Sequence, residues 1–248
     1  MDLGHVTQLA KDELGRSKAV YRQDLTRPPG QDRLKVDDLG AGDIGFVDTG
    51  AQNSNPGHDF TADGLLLSIE RPLGAVGNIG HWAAVQTQGV ALPGDFLLVA
   101  TFERPSRVAL GSAPAEGTYA PSLLTNTGIL MGASSQFRPE GMRLNLPGTG
   151  LMPNLPPIPQ SFLDTVLDPQ RSSSFTLALT LHRTATTGAG KAFLFVDNDE
   201  ADSFDFDVAG WSTATQIVDI RAGIGTASGS EYRASVFLLD FQIWAPTS

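Results

Sequence analysis

Alternation of apolar and polar residues is strongest between Ser172 and Trp244, where it predicts a run of β-strands. Residues 173–183, Ser-Ser-Phe-Thr-Leu-Ala-Leu-Thr-Leu-His-Arg, alternate over a full strand length. A Gly-containing turn follows, then candidate strands at 191–197, 202–208, 216–224 and 234–244. Upstream, the same signal marks 43–48, 64–70, 80–87 and 95–104, with shorter segments at 107–110, 128–132 and 142–146. Within 95–103, Phe96, Leu98, Ala100 and Phe102 share one face, while Leu97, Val99, Thr101 and Glu103 occupy the other. A strand apolar on both faces belongs in the middle of a layered structure.

Residues 1–30 follow a different period. Val6, Leu9, Ala10 and Leu14 recur at helical spacing among charged residues, and Gly15 stands where a helix would end. Arg27-Pro-Pro-Gly30 is a breaker. This predicts a short helical arm over 1–30, followed by a β-domain over 31–248. Asn55-Pro-Gly-His-Asp59 reads as a turn, and 112–126 and the Pro/Gly-rich 147–159 read as loops. Residues 161–167 read as one or two helical turns. Many short strands, Gly-rich turns and hardly any helix beyond residue 30 predict an all-β fold: a two-sheet antiparallel β-sandwich, or jelly roll.

Four of these segments carry a family resemblance. Asp95-Phe-Leu-Leu-Val-Ala-Thr-Phe, then Phe175-Thr-Leu-Ala-Leu-Thr-Leu with Phe193-Leu-Phe-Val-Asp-Asn, and the closing Val236-Phe-Leu-Leu-Asp-Phe-Gln-Ile-Trp resemble the concanavalin A-like lectin/glucanase superfamily, including laminin-G-like domains. The resemblance spans roughly residues 40–245 and is one of strand pattern. It implies a jelly roll. Neither a catalytic nor a calcium signature comes with it, and such sandwiches share no common function.

Composition narrows the function classes. The 248 residues suffice for one large sandwich with its own core. With 17 basic and 27 acidic residues the net charge is -10. A phosphate-neutralising surface is therefore not expected, and neither nucleic acid nor an anionic membrane is an expected partner. The absence of cysteine excludes disulfides, thiolate metal sites and Cys nucleophiles. The first residues lack a basic region followed by an apolar one, so no Sec-type leader is expected.

Candidate chemistry is sparse. Glycosidases need two carboxyl groups flanking the scissile bond. In the superfamily the pair sits on one strand, typically as Glu-x-Asp-x-x-Glu, and Glu200-Ala-Asp-Ser-Phe-Asp205 departs from that at its last position. Strand parity turns Asp205 away from Asp202, so Glu200, Asp202 and Asp205 read as an acidic turn and a solvated face, and for Glu103 no second catalytic carboxyl group can be named. No catalytic residue is assigned. Asp197, Asn198, Asp199 and Asp202 form the densest oxygen cluster and are the candidate calcium ligands, although Asn and Asp are also the favoured hairpin-turn residues. No other cofactor is expected. His5, His58, His81 and His182 show no zinc spacing. Trp82 and His81, in a Gly-flanked strand, with Tyr119 and Asn154 in the two loops, are the candidate ligand face, since flat aromatics stack on sugar rings. Trp211 and Trp244 read as core or sheet-edge residues.

The favoured reading is a non-enzymatic binding or structural module for a glycan or a protein surface. The arm would join it to other copies or to an assembly neighbour. Within that reading a bacteriophage virion decoration or host-adsorption protein is favoured over a cytoplasmic protein. A polysaccharide hydrolase or lyase and a calcium-dependent lectin are the alternatives.

Overall fold

The computed structural model describes residues 1–26, 35–37, 45–49, 57–71, 79–86, 94–109, 117–125, 130–132, 134–138, 141–145, 174–209, 217–226 and 232–247. They form two antiparallel sheets and one helix, α1 (Leu3–Leu14). The larger, nine-stranded sheet runs β14 (Asp199–Ala209), β13 (Thr187–Val196), β12 (Ser174–Arg183), β7 (Asp95–Ala109), β16 (Tyr232–Pro246), β1 (Ser17–Asp24) and β2 (Lys35–Asp37). Beside β1, β16 also takes β5 (Gly64–Arg71), which carries β4 (Gly57–Thr61). The smaller, seven-stranded sheet runs β11 (Gly141–Asn145), β10 (Ser134–Arg138), β8 (Gly117–Thr125), β15 (Ile217–Thr226), β6 (Ile79–Gln86) and β3 (Gly45–Thr49), with β9 (Leu130–Gly132) on β8. β15 lies against β5 and β16, and β8 against β7 and β12, so the sheets stack face to face as the expected sandwich.

The two-sided strand finds a layer on each side. On the inner face, Phe96, Leu98, Ala100 and Phe102 stand level with Leu181, Leu179, Leu177 and Phe175 of β12, all fully buried. Phe102 and Phe175 stack with ring centres 5.3 Å apart. On the outer face, Leu97 and Val99 join Ala178, Phe193, Phe195 and Trp244 in a second core, closed by Val6 and Ala10 of α1. The helix is the third layer. Asp2 caps it by accepting the His5 amide hydrogen at 3.0 Å, and Gly15, at φ 71°, ends it by donating its N–H to the Lys11 carbonyl.

Of residues 1–30, read as an arm ahead of the domain, the described 1–26 supply a helix seated on the sheet and a strand within it. β1 pairs with β16 on one side and β2 on the other. Its Arg22 Nε lies 3.1 Å from Asp240 Oδ2, and Tyr21 is buried against Phe241. The apolar face of α1 is taken up by its own chain. Among the described residues no helix is long and apolar enough to cross a membrane.

Other departures from the sequence reading concern strand bounds. The expected loop 112–126 contains β8, and the expected turn 55–59 contains the start of β4. The expected break between residues 104 and 107 lies inside β7, which continues to Ala109. Between the pairs Glu103–Phe237 and Ser106–Ser235, β7 has two intervening residues and β16 one. Arg104 and Pro105 therefore sit in a bulge, where a proline interrupts no regular ladder. The 147–159 loop and the 161–167 helical turns lie outside the described residues.

Candidate functional site

At the C-terminal end of α1 the helix leaves the outer face of the larger sheet partly open. A cleft of about 330 Å³ forms there, lined by Glu13, Thr180, His182, Ala189, Gly190, Lys191 and Asp205. Strand register assembles its floor. Thr180, Lys191 and Asp205 stand side by side on β12, β13 and β14, and His182 and Ala189 form the next row. Ala189 and Gly190 leave room where larger side chains would fill the space. The Thr180 hydroxyl is buried, donating to the Lys191 carbonyl and accepting from its N–H, which ties β13 to β12 beneath the cleft.

Glu13 is the helix's contribution. It lies three residues beyond Ala10 and seven beyond Val6, on the stripe that faces the sheet, just past the apolar patch. Burial pushes its carboxyl pKa up; Lys191 and His182 pull it down, and Asp12 and Asp205 push it further up. The free carbonyls of the last helical turn also disfavour a negative charge there. A carboxyl whose pKa is higher in the folded than in the unfolded state favours folding at low pH, and that contribution is lost as the pH rises through the folded-state value. Glu13→Gln should therefore raise Tm at pH 7 and leave it unchanged below about pH 4. Paired thermal melts check this, and equal Tm at pH 7 would remove burial as the dominant effect.

The basic groups of the cleft are each engaged on one side. Lys191 Nζ lies over the Phe193 ring, 4.7 Å from its centre. His182 Nδ1 is 3.3 Å from Asp95 Oδ1, with these side chains 49% and 44% exposed. Among the described residues no hydrogen bond or ion pair reaches the side-chain carboxylate of Glu13 or Asp205.

The other candidate residues lie elsewhere. His81 and Tyr119 flank Ile224 across β6, β15 and β8 of the smaller sheet, and Trp82 stands opposite Gly223 and Val47. These positions are on the sheet that does not carry the cleft. Asn154 and Trp211 lie outside the described residues. Asp197 and Asn198 are the two-residue turn between β13 and β14, with Asp197 at φ 52°. Asp197 Oδ1 accepts the Ser174 N–H at 3.0 Å, and Asn198 Oδ1 accepts the Asp2 N–H at 3.0 Å. Both serve the turn and the helix start. Asp199 and Glu200 are exposed, and Glu200 accepts from the Ser203 hydroxyl at 2.6 Å. Among the described residues no three His, Asp or Glu side chains group to hold a metal ion. Glu103 faces Ser174 at the end of the sheet away from the cleft, so of the acids weighed for hydrolysis Asp205 alone lines it.

Sequence reasoning set His182 aside for want of zinc spacing, although alternation along 173–183 puts it on the face of Thr176, Ala178 and Thr180, which is the cleft face. It missed Glu13 and Lys191. The signal for Glu13 was its place on the Val6–Ala10 stripe. Lys191 carried no local signal, because its role depends on which strand lies beside β13.

No protein-family model matches the chain. No curated protein matches it. Solved structures do. A Bauhinia forficata lectin in complex with GalNAc is similar at 12% identity, over 90% of this chain and 97% of that one, with TM-score 0.47. The CBM2 module of the evolved Dit of Lactobacillus casei BL23 phage J-1 is similar at 9% identity, over 92% and 96%, with TM-score 0.49. The Emp47p carbohydrate recognition domain is similar at 13% identity, over 94% and 98%, with TM-score 0.43. At these identities and TM-scores the likenesses say nothing of what this chain does.

Proposed function

We propose that this chain is a non-catalytic module that binds a glycan in the cleft between α1 and strands β12–β14. The observation that carries this reading is the mixed lining. Two carboxylates, Glu13 and Asp205, stand beside two donors, Lys191 and His182, around a floor of small residues. A sugar hydroxyl both donates and accepts, so a polyhydroxyl ligand meets both kinds of group at once. The cleft volume lies at the lower end of the range for small-molecule sites.

A glycan array, read with and without EDTA and with products checked for cleavage, tests the proposal. Retention of a glycan, insensitive to EDTA and without released ends, is expected. Ala189 is exposed, so Ala189→Trp should fill the cleft without disturbing the core. The variant should melt like the parent and lose binding by at least about tenfold. Undiminished binding would move the site elsewhere, and EDTA-sensitive binding would favour the calcium-lectin reading at Asp197–Asp202.

The narrower form of the same reading sets the module in a bacteriophage virion, as a decoration or host-adsorption protein. A glycan-binding sandwich suits adhesion to a cell envelope. Detection of the chain in purified particles by mass spectrometry tests that setting, and its absence from them would remove it.

A further inference from the structure

We infer that Asp95, which does not line the cleft, fixes how His182 meets a ligand there: it holds the imidazole by Nδ1 and leaves Nε2 as the ring's polar atom for the ligand. This rests on the glycan reading and adds a positioning residue to the same site. Three observations carry it. His182 and Asp95 stand directly opposite each other on β12 and β7, and His182 Nδ1 lies 3.3 Å from Asp95 Oδ1. His182 lines the cleft, whereas Asp95 does not. Among the described residues no hydrogen bond or ion pair reaches His182 Nε2.

The carboxylate is held at this margin by its own surroundings. Beside the pair, the Arg183 N–H donates to the Gly94 carbonyl at 2.9 Å and pins the two strands together. Burial lowers the pKa of the Arg183 guanidinium, and the negative charge of Asp95 opposes that. The same attraction keeps the Asp95 carboxylate at the strand end, next to His182.

A neutral imidazole carries one proton, and the partner of each nitrogen decides where it sits. A carboxylate accepts and does not donate, so Asp95 keeps that proton on Nδ1. Nε2 then offers a lone pair, and the ligand group facing it must donate. Once the ring takes up a second proton, Nε2 donates instead and the ligand group must accept. A sugar hydroxyl satisfies either state. Glu13, Lys191 and Asp205 face the same cavity from α1, β13 and β14 and share the field in which the ring titrates, but among the described residues none of them bonds its nitrogens.

Asp95→Asn tests this, because an amide both donates and accepts and so no longer dictates the tautomer. Nitrogen-15 spectra of the imidazole should show the neutral ring protonated on Nδ1 in the parent, and that form should lose its dominance in the variant. Isothermal titration with a glycan retained on the array then compares Asp95→Asn, His182→Ala and the double variant with the parent. Asp95→Asn should weaken binding about fivefold in the parent and change nothing once His182 is replaced. The loss should be largest where the spectra show a neutral ring and shrink where both nitrogens are protonated, which a merely structural role would not produce. Both side chains are about half exposed, so each variant should melt like the parent. A neutral parent ring protonated on Nε2, unchanged binding in Asp95→Asn, or losses that simply add in the double variant each overturn the inference and leave the glycan reading standing. Failure of every glycan on the array removes the glycan reading, and the spectra, which need no ligand, then decide the tautomer by themselves.

Discussion

Replacing Ala10 with glutamate should lower stability by about 3–5 kcal/mol and release α1 from the sheet. Ala10 is fully buried in the outer core, with Leu97, Val99, Ala178, Phe193, Phe195 and Trp244 in the same cluster. Ala10 has no exposed surface, and the residues clustered around it are all apolar. The helix must lift or the carboxylate must be buried, and lifting bares the apolar outer face. Thr7→Glu, on the exposed side of the same helix, is the control and should be close to neutral. Urea denaturation compares the two. Coincident midpoints would mean that α1 rests on the sheet without stabilising it. Removing residues 1–30 likewise takes β1 from between β16 and β2, so the remaining sandwich is not expected to stay intact.

Phe193→Ala is the second large effect, at about 3–5 kcal/mol. The ring is buried, stacks on Phe195 with centres 5.8 Å apart, and completes the patch that receives Val6 and Ala10. It also seats the Lys191 ammonium. The substitution should therefore act twice, on stability and on the cleft. Without the ring Lys191 is free to swing toward Asp205, its neighbour in the cross-strand row, and glycan binding in the cleft should weaken. Phe193→Leu should recover most of the stability and little of the glycan binding. Denaturation and titration on the two variants check this, and equal stability losses for Ala and Leu would contradict the packing account.

Legibility of the fold followed local periodicity. The two-sided strand at 95–103 correctly demanded a layer on each face, and the helical spacing of Val6 and Ala10 marked the element that forms one of them. Failures occurred where pairing overrides local pattern. Parity puts Trp244 on the face of Val236 and Leu238. In the structure a register shift between Leu238 and Asp240 turns the strand over: Leu238 stands level with Phe102 on the inner face, Trp244 with Leu97 under the helix. Pro121 made 112–126 look like a loop. It falls where the neighbour of β8 changes from β10, paired at Gly117–Tyr119, to β9, paired at Ser122–Leu124. Such a junction tolerates a residue that cannot donate. The cleft was illegible for a related reason. Its residues come from α1, β12, β13 and β14, and no short motif spans them.

The seating of α1 also has a temporal meaning. Asp2 bonds Asn198, 196 positions away in sequence, and Arg22 bonds Asp240 across 218. The helix and β1 are synthesised early, while β12, β13 and β16, which receive them, leave the ribosome late. Until those strands arrive, the stripe of Val6 and Ala10 has only Leu97 and Val99 of β7 from its full docking surface. Such long-range closure makes for slow folding, and it keeps apolar segments exposed to chaperones and to neighbouring nascent chains throughout translation.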